Sequence, residues 1–530
     1  MVENFEKIIK KAIELHKLGN FEDAKHNYLE ALRLEPENHN VYKMLSSLEY
    51  QNKDIDKSLE YINKAIEIKN DISELYSIKG FYLHSQKKKD QAIENFNKAL
   101  KIDSNNIDAL LNLGVIFKEN NEKQKSINYF NKVTSIDKSN FKAFTNKAYL
   151  KIEDRNYEDA LIDLNYAISI NKRYFNAYLM RGNVYKELKH FDKSLMDYNF
   201  LINSRIECGE QLYNEAKFNK GLLELLLGNF KEGWDNYEFR FKVKKNFVPN
   251  ILKEVSLLKS INDCKNKNVL ILPEQGIGDQ IVYLSLINEF KNYCKKLTVM
   301  TDKRLLNLLN NSMKDINFID QKKNFQSENI DYYIHLGSIC KFLRNDLQSF
   351  EKKRRFIFPN EKISKNINKV MSKNKFKIGI SWTSFNSDYE FDKTITLNKL
   401  FEAFHGLNVD LINLQYGNVK EEIKNFEVNN NKSVINFENI DNKNDIEGLY
   451  SIIDNCDLII STSNATIQFS GSIGKETWVL LPYLSHFHWL NDRKKSIWYE
   501  NVYLFRQSKR GDWSNVLSEI NKKLKLRISQ

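Results

Sequence analysis

A period of 34 residues governs the first part of this chain. Small residues recur at Ala24, Ser58, Ala92, Ser126, Ala160 and Ser194, each 34 apart. Four residues later stand Tyr28, Ile62, Phe96, Phe130, Leu164 and Tyr198, and three further on Ala31, Ala65, Ala99, Val133, Ala167 and Leu201. Upstream, Ser46, Gly80, Gly114, Ala148 and Gly182 keep the same spacing. Small residues at fixed places let the two helices of a unit approach closely, and the larger ones fill the gap to the next unit. A single unit of this kind cannot bury its apolar face alone, so neighbours must stack into one superhelix with a groove. At 530 residues the chain is also too long for one core, and three or four domains are expected.

This register resembles the tetratricopeptide repeat, and six units hold it without an insertion. Of that family's closing proline only Pro36 remains; Asn70, Ser104, Lys138 and Lys172 occupy the later positions. A seventh, divergent unit comes after a short slip, from Gly221 to Arg240, with Gly233 in the small position and Tyr237 in the aromatic one. As the last unit it is expected to pack against the next domain, with Trp234 as the bolt.

Charge and composition exclude several classes. Lys+Arg number 81 against 69 Asp+Glu, but the charges are interspersed, so no nucleic-acid footprint is expected. The densest basic run, Lys352 to Arg355, reads as a solvated loop. No stretch of apolar residues is long enough to span a bilayer, and Met1 to Asn20 reads as a repeat helix, without the apolar centre of a signal peptide. Five scattered cysteines without zinc-ligand spacing suggest reduced thiols and a cytoplasmic protein.

The second pattern begins at Val269–Leu272, a short buried-strand run ended by Pro273. Gly276 and Gly278 suggest a tight turn that lets a ligand approach the backbone. Ile281, Leu284, Ile287 and Phe290 then mark a helix face, whose N-terminus favours anionic oxygens. Asp279 lies at that helix start, where its pKa should be kept low; a helix N-terminal aspartate stabilising the dipole is the plain alternative. Further apolar runs alternate between strand and helix character to the end of the chain. A polar Lys/Asn-rich segment, 360 to 374, reads as a crossing between two series. The expected architecture is an α superhelix of repeats over 1–240, a connector over 241–265, and two Rossmann-like α/β domains over 266–375 and 376–530.

Two such domains facing across a cleft fit the GT-B glycosyltransferase architecture. Gly278-Asp279, Asp392-Lys393, and Ser461 to Lys475 together with Trp478 to Pro482 are similar to family 9 glycosyltransferases, of which the bacterial heptosyltransferases are the best known. The closing run through Ser496–Tyr499, Leu504–Gln507 and Gly511–Trp513 looks like the branch of that family with tetratricopeptide repeats in front. The resemblance implies Asp279 as the base that takes the acceptor's proton, with Glu274 as its near competitor by position. It implies Lys393 at the donor phosphates. Gly276, Gly278, Ser461, Ser463, Asn464 and Thr466 complete the candidate donor site; for Ser463 or Asn464 an N-cap is the equally open alternative. Arg506 and Gln507 read as structural or at the cleft edge. The loop departs from the family at Ser463-Asn464, where many members carry Asp-Thr, and at Gln468, where they carry His.

The chain is thus read as a metal-independent GT-B glycosyltransferase. It would need no cofactor beyond a nucleotide-sugar donor, bound mostly by 376–530. A protein or glycan acceptor would approach through 266–375 and be recognised partly by the repeats. Two alternatives stand: a protein O-glycosyltransferase of the O-linked N-acetylglucosamine type, and a non-catalytic scaffold with an inert GT-B domain. No Asp-x-Asp lies outside the repeats, no phosphate-binding loop has the required spacing, and His486-x-His488 reads as a pair of neutral surface histidines.

Overall fold

The computed structural model describes residues 2–243, 255–322, 329–351, 355–384 and 393–529. Asp392, residues 352–354 of the basic run and much of the expected connector lie outside the described residues. The chain divides into two compact units, Met1–Asp197 and Tyr198–Gln530.

The first unit is built of paired helices, among them His39–Gln51 with Ile55–Ile68 and Ser73–Ser85 with Lys89–Ile102. The periodic small residues sit where helices touch: Ala24, Ser58, Ala92, Ser126 and Ala160 are fully buried. The Ser126 hydroxyl donates to the Gly114 carbonyl at 2.7 Å, and Ser194 repeats the bond to Gly182. A Cβ on Gly80 would lie 2.8 Å from the Phe96 ring, and one on Gly114 2.5 Å from Phe130, so these glycines are required by packing. Each turn inside a pair carries one left-handed residue, at Gly19, Lys53, Lys87, Asn121, Arg155 and Lys189. The next residue donates back across the helix end, as Asp54 does to Glu49 and Lys88 to Leu83, each at 2.9 Å. After the first turn this strained position is filled by lysine, asparagine or arginine, and the closing bonds offset the cost.

The second unit opens with the divergent repeat. Helices Arg205–Leu227, kinked at Gly209, and Phe230–Tyr237 pack so closely that a Cβ on Gly221 would lie 2.7 Å from the Tyr237 nitrogen. Trp234 is buried as expected. Its indole N–H donates to the Arg344 carbonyl at 2.7 Å, and its ring meets Phe487 edge-on.

Beyond this repeat lie two parallel sheets. The first contains β1 (Ser256–Leu257), β2 (Asn268–Leu272), β3 (Lys296–Thr301), β4 (Asn317–Asp320) and β5 (Tyr332–His335), in the order β1-β5-β2-β3-β4. The second contains β6 (Phe376–Ser381), β7 (Val409–Asn413), β8 (Val434–Ile435), β9 (Leu458–Thr462), β10 (Thr477–Leu481) and β11 (Val502–Arg506), in the order β11-β10-β9-β6-β7-β8. Every ladder in both sheets is parallel. The strand order reverses between β2 and β5 in one sheet and between β6 and β9 in the other. At such reversals the crossover helices leave to opposite faces and open a crevice beyond the carboxyl ends of the strands.

Two segments differ from the expectation. Ser256–Leu257, read as connector, adds an edge strand paired with Tyr332 and Tyr333; two residues are too short for periodicity to reveal. The polar stretch 360–374 contains a helix, Glu361–Val370, capped by the Asn360 side chain. Its one buried residue, Ile367, makes too narrow an apolar stripe to stand out among Lys and Asn. Among the described residues no helix is long and apolar enough to cross a membrane.

Candidate active site

Three loops leave the carboxyl ends of strands at the two reversal points. The first comes after β2 and enters the Ile277–Leu284 helix, carrying Gly276, Gly278 and Asp279. The second comes after β6 and returns at Lys393. Its ends are tied by the Ile395 N–H to the Trp382 carbonyl and by the Thr383 and Thr394 hydroxyls, each pair 3.0 Å apart. The third comes after β9 and enters the Ala465–Ser472 helix, carrying Ser461 to Thr466.

The first and third loops meet. A Cβ on Gly278 would lie 3.3 Å from the Ala465 Cα and 3.6 Å from the Gln468 Cγ. Gly278 therefore lets helices of the two sheets approach closely, with room for no more than a small side chain. The expectation that both glycines form the tight turn is corrected: Gln275 takes the left-handed conformation, with φ +62, while Gly276 has φ −80. Gln275 is held there by its amide, which donates to the Tyr237 hydroxyl.

Asp279 is in the first turn of its helix, beyond the carboxyl end of β2. Protein surrounds the carboxylate, yet 35% of its side-chain surface stays open. Burial pushes its pKa up to about 6, against the pull of Lys393 and of a hydrogen bond from the Gly276 backbone, with Glu274 adding a smaller upward push. The expected low pKa is thus overturned, because the helix N-terminus does not outweigh desolvation here.

Glu274 is committed elsewhere. Both its oxygens accept from the Arg240 guanidinium at 2.9 Å, and Oε1 also accepts from the Gly337 N–H at 2.6 Å. Fork-shaped and buried, this pair ties the divergent repeat to the first sheet.

In the third loop most side chains face inward. The Asn464 Oδ1 accepts from the Thr466 N–H at 3.0 Å, so Asn464 is the helix N-cap. Its amide donates to the Ser381 hydroxyl at 2.7 Å and to the Thr383 carbonyl at 3.0 Å, stitching β9 to β6. The Ser461 hydroxyl is buried and donates to the Thr462 carbonyl, and Thr466 is buried too. Ser463 is half-buried, and its hydroxyl accepts from the Trp489 indole at 2.8 Å. What this loop offers to a ligand is consequently more backbone than side chain. Arg506 is structural: its guanidinium donates to the Leu490 carbonyl and the Ser485 hydroxyl.

Several residues that sequence reasoning passed over complete the site. His488, read as a surface histidine, is buried beside Asp279, with Nδ1 4.0 Å from Oδ1. Burial and the Lys393 charge push it down to about 3, so it is neutral at ordinary pH. Lys393 therefore acts on both groups. Tyr283, one helical turn after Asp279, lies 3.2 Å from the other His488 nitrogen. That i, i+4 spacing was the one available signal, since it puts both side chains on one helix face. Burial also raises the Tyr499 hydroxyl, with a smaller push from Asp279. The Tyr499 hydroxyl and the Gln468 Oε1 are buried without a hydrogen-bond partner. Among the described residues no three His, Cys, Asp or Glu side chains are grouped as metal ligands.

In the first unit, a groove of about 760 Å³ is lined by Tyr28, Tyr50, Tyr82, Lys43, Glu74 and Lys142.

Comparison with known proteins identifies the repeats. Profiles described as "Tetratricopeptide repeat" match residues 9–71 and 107–140, and one described as "TPR repeat" matches residues 80–121. The chain carries tetratricopeptide repeats, modules suited to protein–protein contact. Protein FlbA of Caulobacter vibrioides is 24% identical over 324 residues, covering 57% of this chain and 54% of FlbA. The chain thus spans about half the length of that curated relative. Solved structures that resemble it include a tetratricopeptide repeat protein from Parabacteroides merdae (16% identical, 48% of this chain and 97% of that one, TM-score 0.36). Another is PilW, a type IV pilus biogenesis factor (19% identical, 38% and 96%, TM-score 0.35).

Proposed function

We propose that the second unit is a GT-B glycosyltransferase whose general base is Asp279 and whose donor is a nucleotide sugar. One observation carries the reading: an ionisable carboxylate with a pKa near 6 at a strand-order reversal, beside a lysine charge and against a helix of the other sheet. Ligands of open parallel sheets gather at such edges. At neutral pH the carboxylate is mostly ionised, yet more basic than an ordinary aspartate, which suits it to take a proton from an acceptor hydroxyl as that oxygen attacks the sugar. The sugar's bond to the diphosphate breaks, and the leaving charge is met by Lys393 and by the amide dipoles of the loop after β9. The inward-facing Asn464 fits this reading, because it fixes the loop backbone and leaves the charge to Lys393.

The tetratricopeptide repeats support a protein partner, and their groove would present a protein or glycan acceptor. No metal is needed in this scheme, so a chelator should leave turnover intact. The test is a binding screen of nucleotide sugars, then an assay of sugar release or transfer for each donor that binds. Binding with turnover supports the reading; binding of no donor supports the inert-scaffold alternative.

A further inference from the structure

His488 reaches the site from a segment far away in sequence, and that segment is clamped on both sides. Trp489 bonds to Ser463, while the Phe487 ring meets Trp234 and Tyr237 at 5.8 and 5.6 Å. Leu490 adopts φ +48, a strained value for leucine, and its carbonyl accepts from Arg506 at 2.7 Å. The imidazole is therefore not free to turn. It is 3% exposed and stands edge-on to Tyr283 and Trp498.

A histidine so enclosed could serve packing alone. Its two nitrogens argue otherwise, because each faces a polar atom of the same helix. Nε2 is 3.2 Å from the Tyr283 hydroxyl, and Nδ1 is 4.0 Å from the Asp279 carboxylate. The Tyr283 hydroxyl can donate to a bare Nε2, and an ionised carboxylate repels a bare ring nitrogen. The arrangement satisfying both has Tyr283 donating to Nε2 and leaves a proton on Nδ1 pointing at Asp279.

We propose that His488 is a positioning residue for Asp279: an Nδ1–H imidazole that aims the carboxylate at the acceptor hydroxyl and favours its ionised form, its tautomer set by the Tyr283 hydroxyl at Nε2. The proposal rests on the reading of Asp279 as the base. The other groups acting on the pair are Lys393, which acts on both, and the Gly276 backbone and Glu274, which act on Asp279.

Two readouts test it on the full-length chain. The first needs no donor. In protein labelled with ¹⁵N-histidine, the His488 signals, assigned by their loss in His488→Asn, should report Nδ1 protonated and Nε2 bare at pH 7.5. An Nε2–H ring or an even mixture overturns the proposal. The second is the pH profile of turnover. His488→Phe should lower kcat roughly 10- to 100-fold, the usual cost of losing an outer partner that orients a reacting group. The donor KM should change little, and the acidic limb should move upward, because the ionised carboxylate loses a donor. His488→Asn, whose amide can donate from the Nδ1 position, should restore most of both. A fall in kcat with the limb unmoved and no rescue by asparagine means packing alone and overturns the proposal. Absence of turnover in the parent alongside an Nδ1–H ring would count against the glycosyltransferase reading while leaving the His488–Asp279 pairing in place.

Discussion

Gly278 and Ala465 are pressed together: a Cβ on Gly278 would stand 3.3 Å from the Ala465 Cα and 3.4 Å from its Cβ. One residue belongs to the helix after β2, the other to the helix after β9, so their contact sets the separation of the two sheets' ligand edges. Gly278→Ala should be tolerated with a shift of a few tenths of an ångström. Gly278→Leu should wedge the helices apart, cost about 1–3 kcal/mol of stability and weaken donor binding. Thermal melts and a donor titration on both variants check this. Unchanged donor affinity in Gly278→Leu would show that the contact does not shape the site.

Glu274→Gln should be a stability variant. It leaves the buried Arg240 guanidinium with Glu238 as its one remaining carboxylate, and breaking a buried pair costs about 3–5 kcal/mol when no second partner remains. Urea unfolding should show a lower midpoint, while turnover per folded molecule stays close to the parent. Loss of turnover without loss of stability would instead make Glu274 a participant in the chemistry.

The same pair sets where the repeats can be removed. A chain starting near residue 245 discards Arg240 and Trp234, leaving Glu274 without its partner and the Arg344 carbonyl without its donor. A chain starting at Tyr198 keeps both. The longer truncation product should melt cooperatively and bind donor, but lose recognition of a macromolecular acceptor; the shorter one should aggregate. Circular dichroism melts of the two products, with donor titration, decide it.

Lys393→Ala should weaken nucleoside-diphosphate binding by about 1–3 kcal/mol, the range for a hydrogen bond to a charged group. It should also release the charge that holds the Asp279 pKa down, moving the acidic limb of turnover above 6. Calorimetric titration with a nucleoside diphosphate and the pH profile check the two effects separately.

The repeats were legible because a period of 34 is a property of the chain itself, and Gly80, Gly114 and the buried rings beside them sit where the spacing puts them. The strands were legible as short apolar runs, down to the two-residue β8, while the equally short β1 was not. The candidate site was only half legible. Asp279 stands at a recognisable turn, and Tyr283 one helical turn later could have been read from the same helix face. His488 could not, because nothing local distinguishes a surface histidine from one carried into a crevice by Phe487 and Trp489. The N-cap alternative for Asn464 was legible, but the commitments of Glu274 to Arg240 and of the Asn464 amide to Ser381 were not, because those partners are distant in sequence. The raised pKa of Asp279 is a property of its surroundings, and only packing supplies those.

On the proposed reading Asp279 is the base. The direct measurement is the pH dependence of sugar turnover, in the parent and in Asp279→Asn, which keeps the shape and can still accept the Gly276 bond. A carboxyl with pKa near 6 accepts protons when ionised, so parent turnover should be full above that pH and fall as pH drops through it. Asp279→Asn should fold and bind donor normally, yet lose about 10²–10⁴ in turnover across the profile, the usual worth of a general base. A variant that turns over at the parent rate, with the same acidic limb, would contradict the account and reduce Asp279 to a helix-start residue.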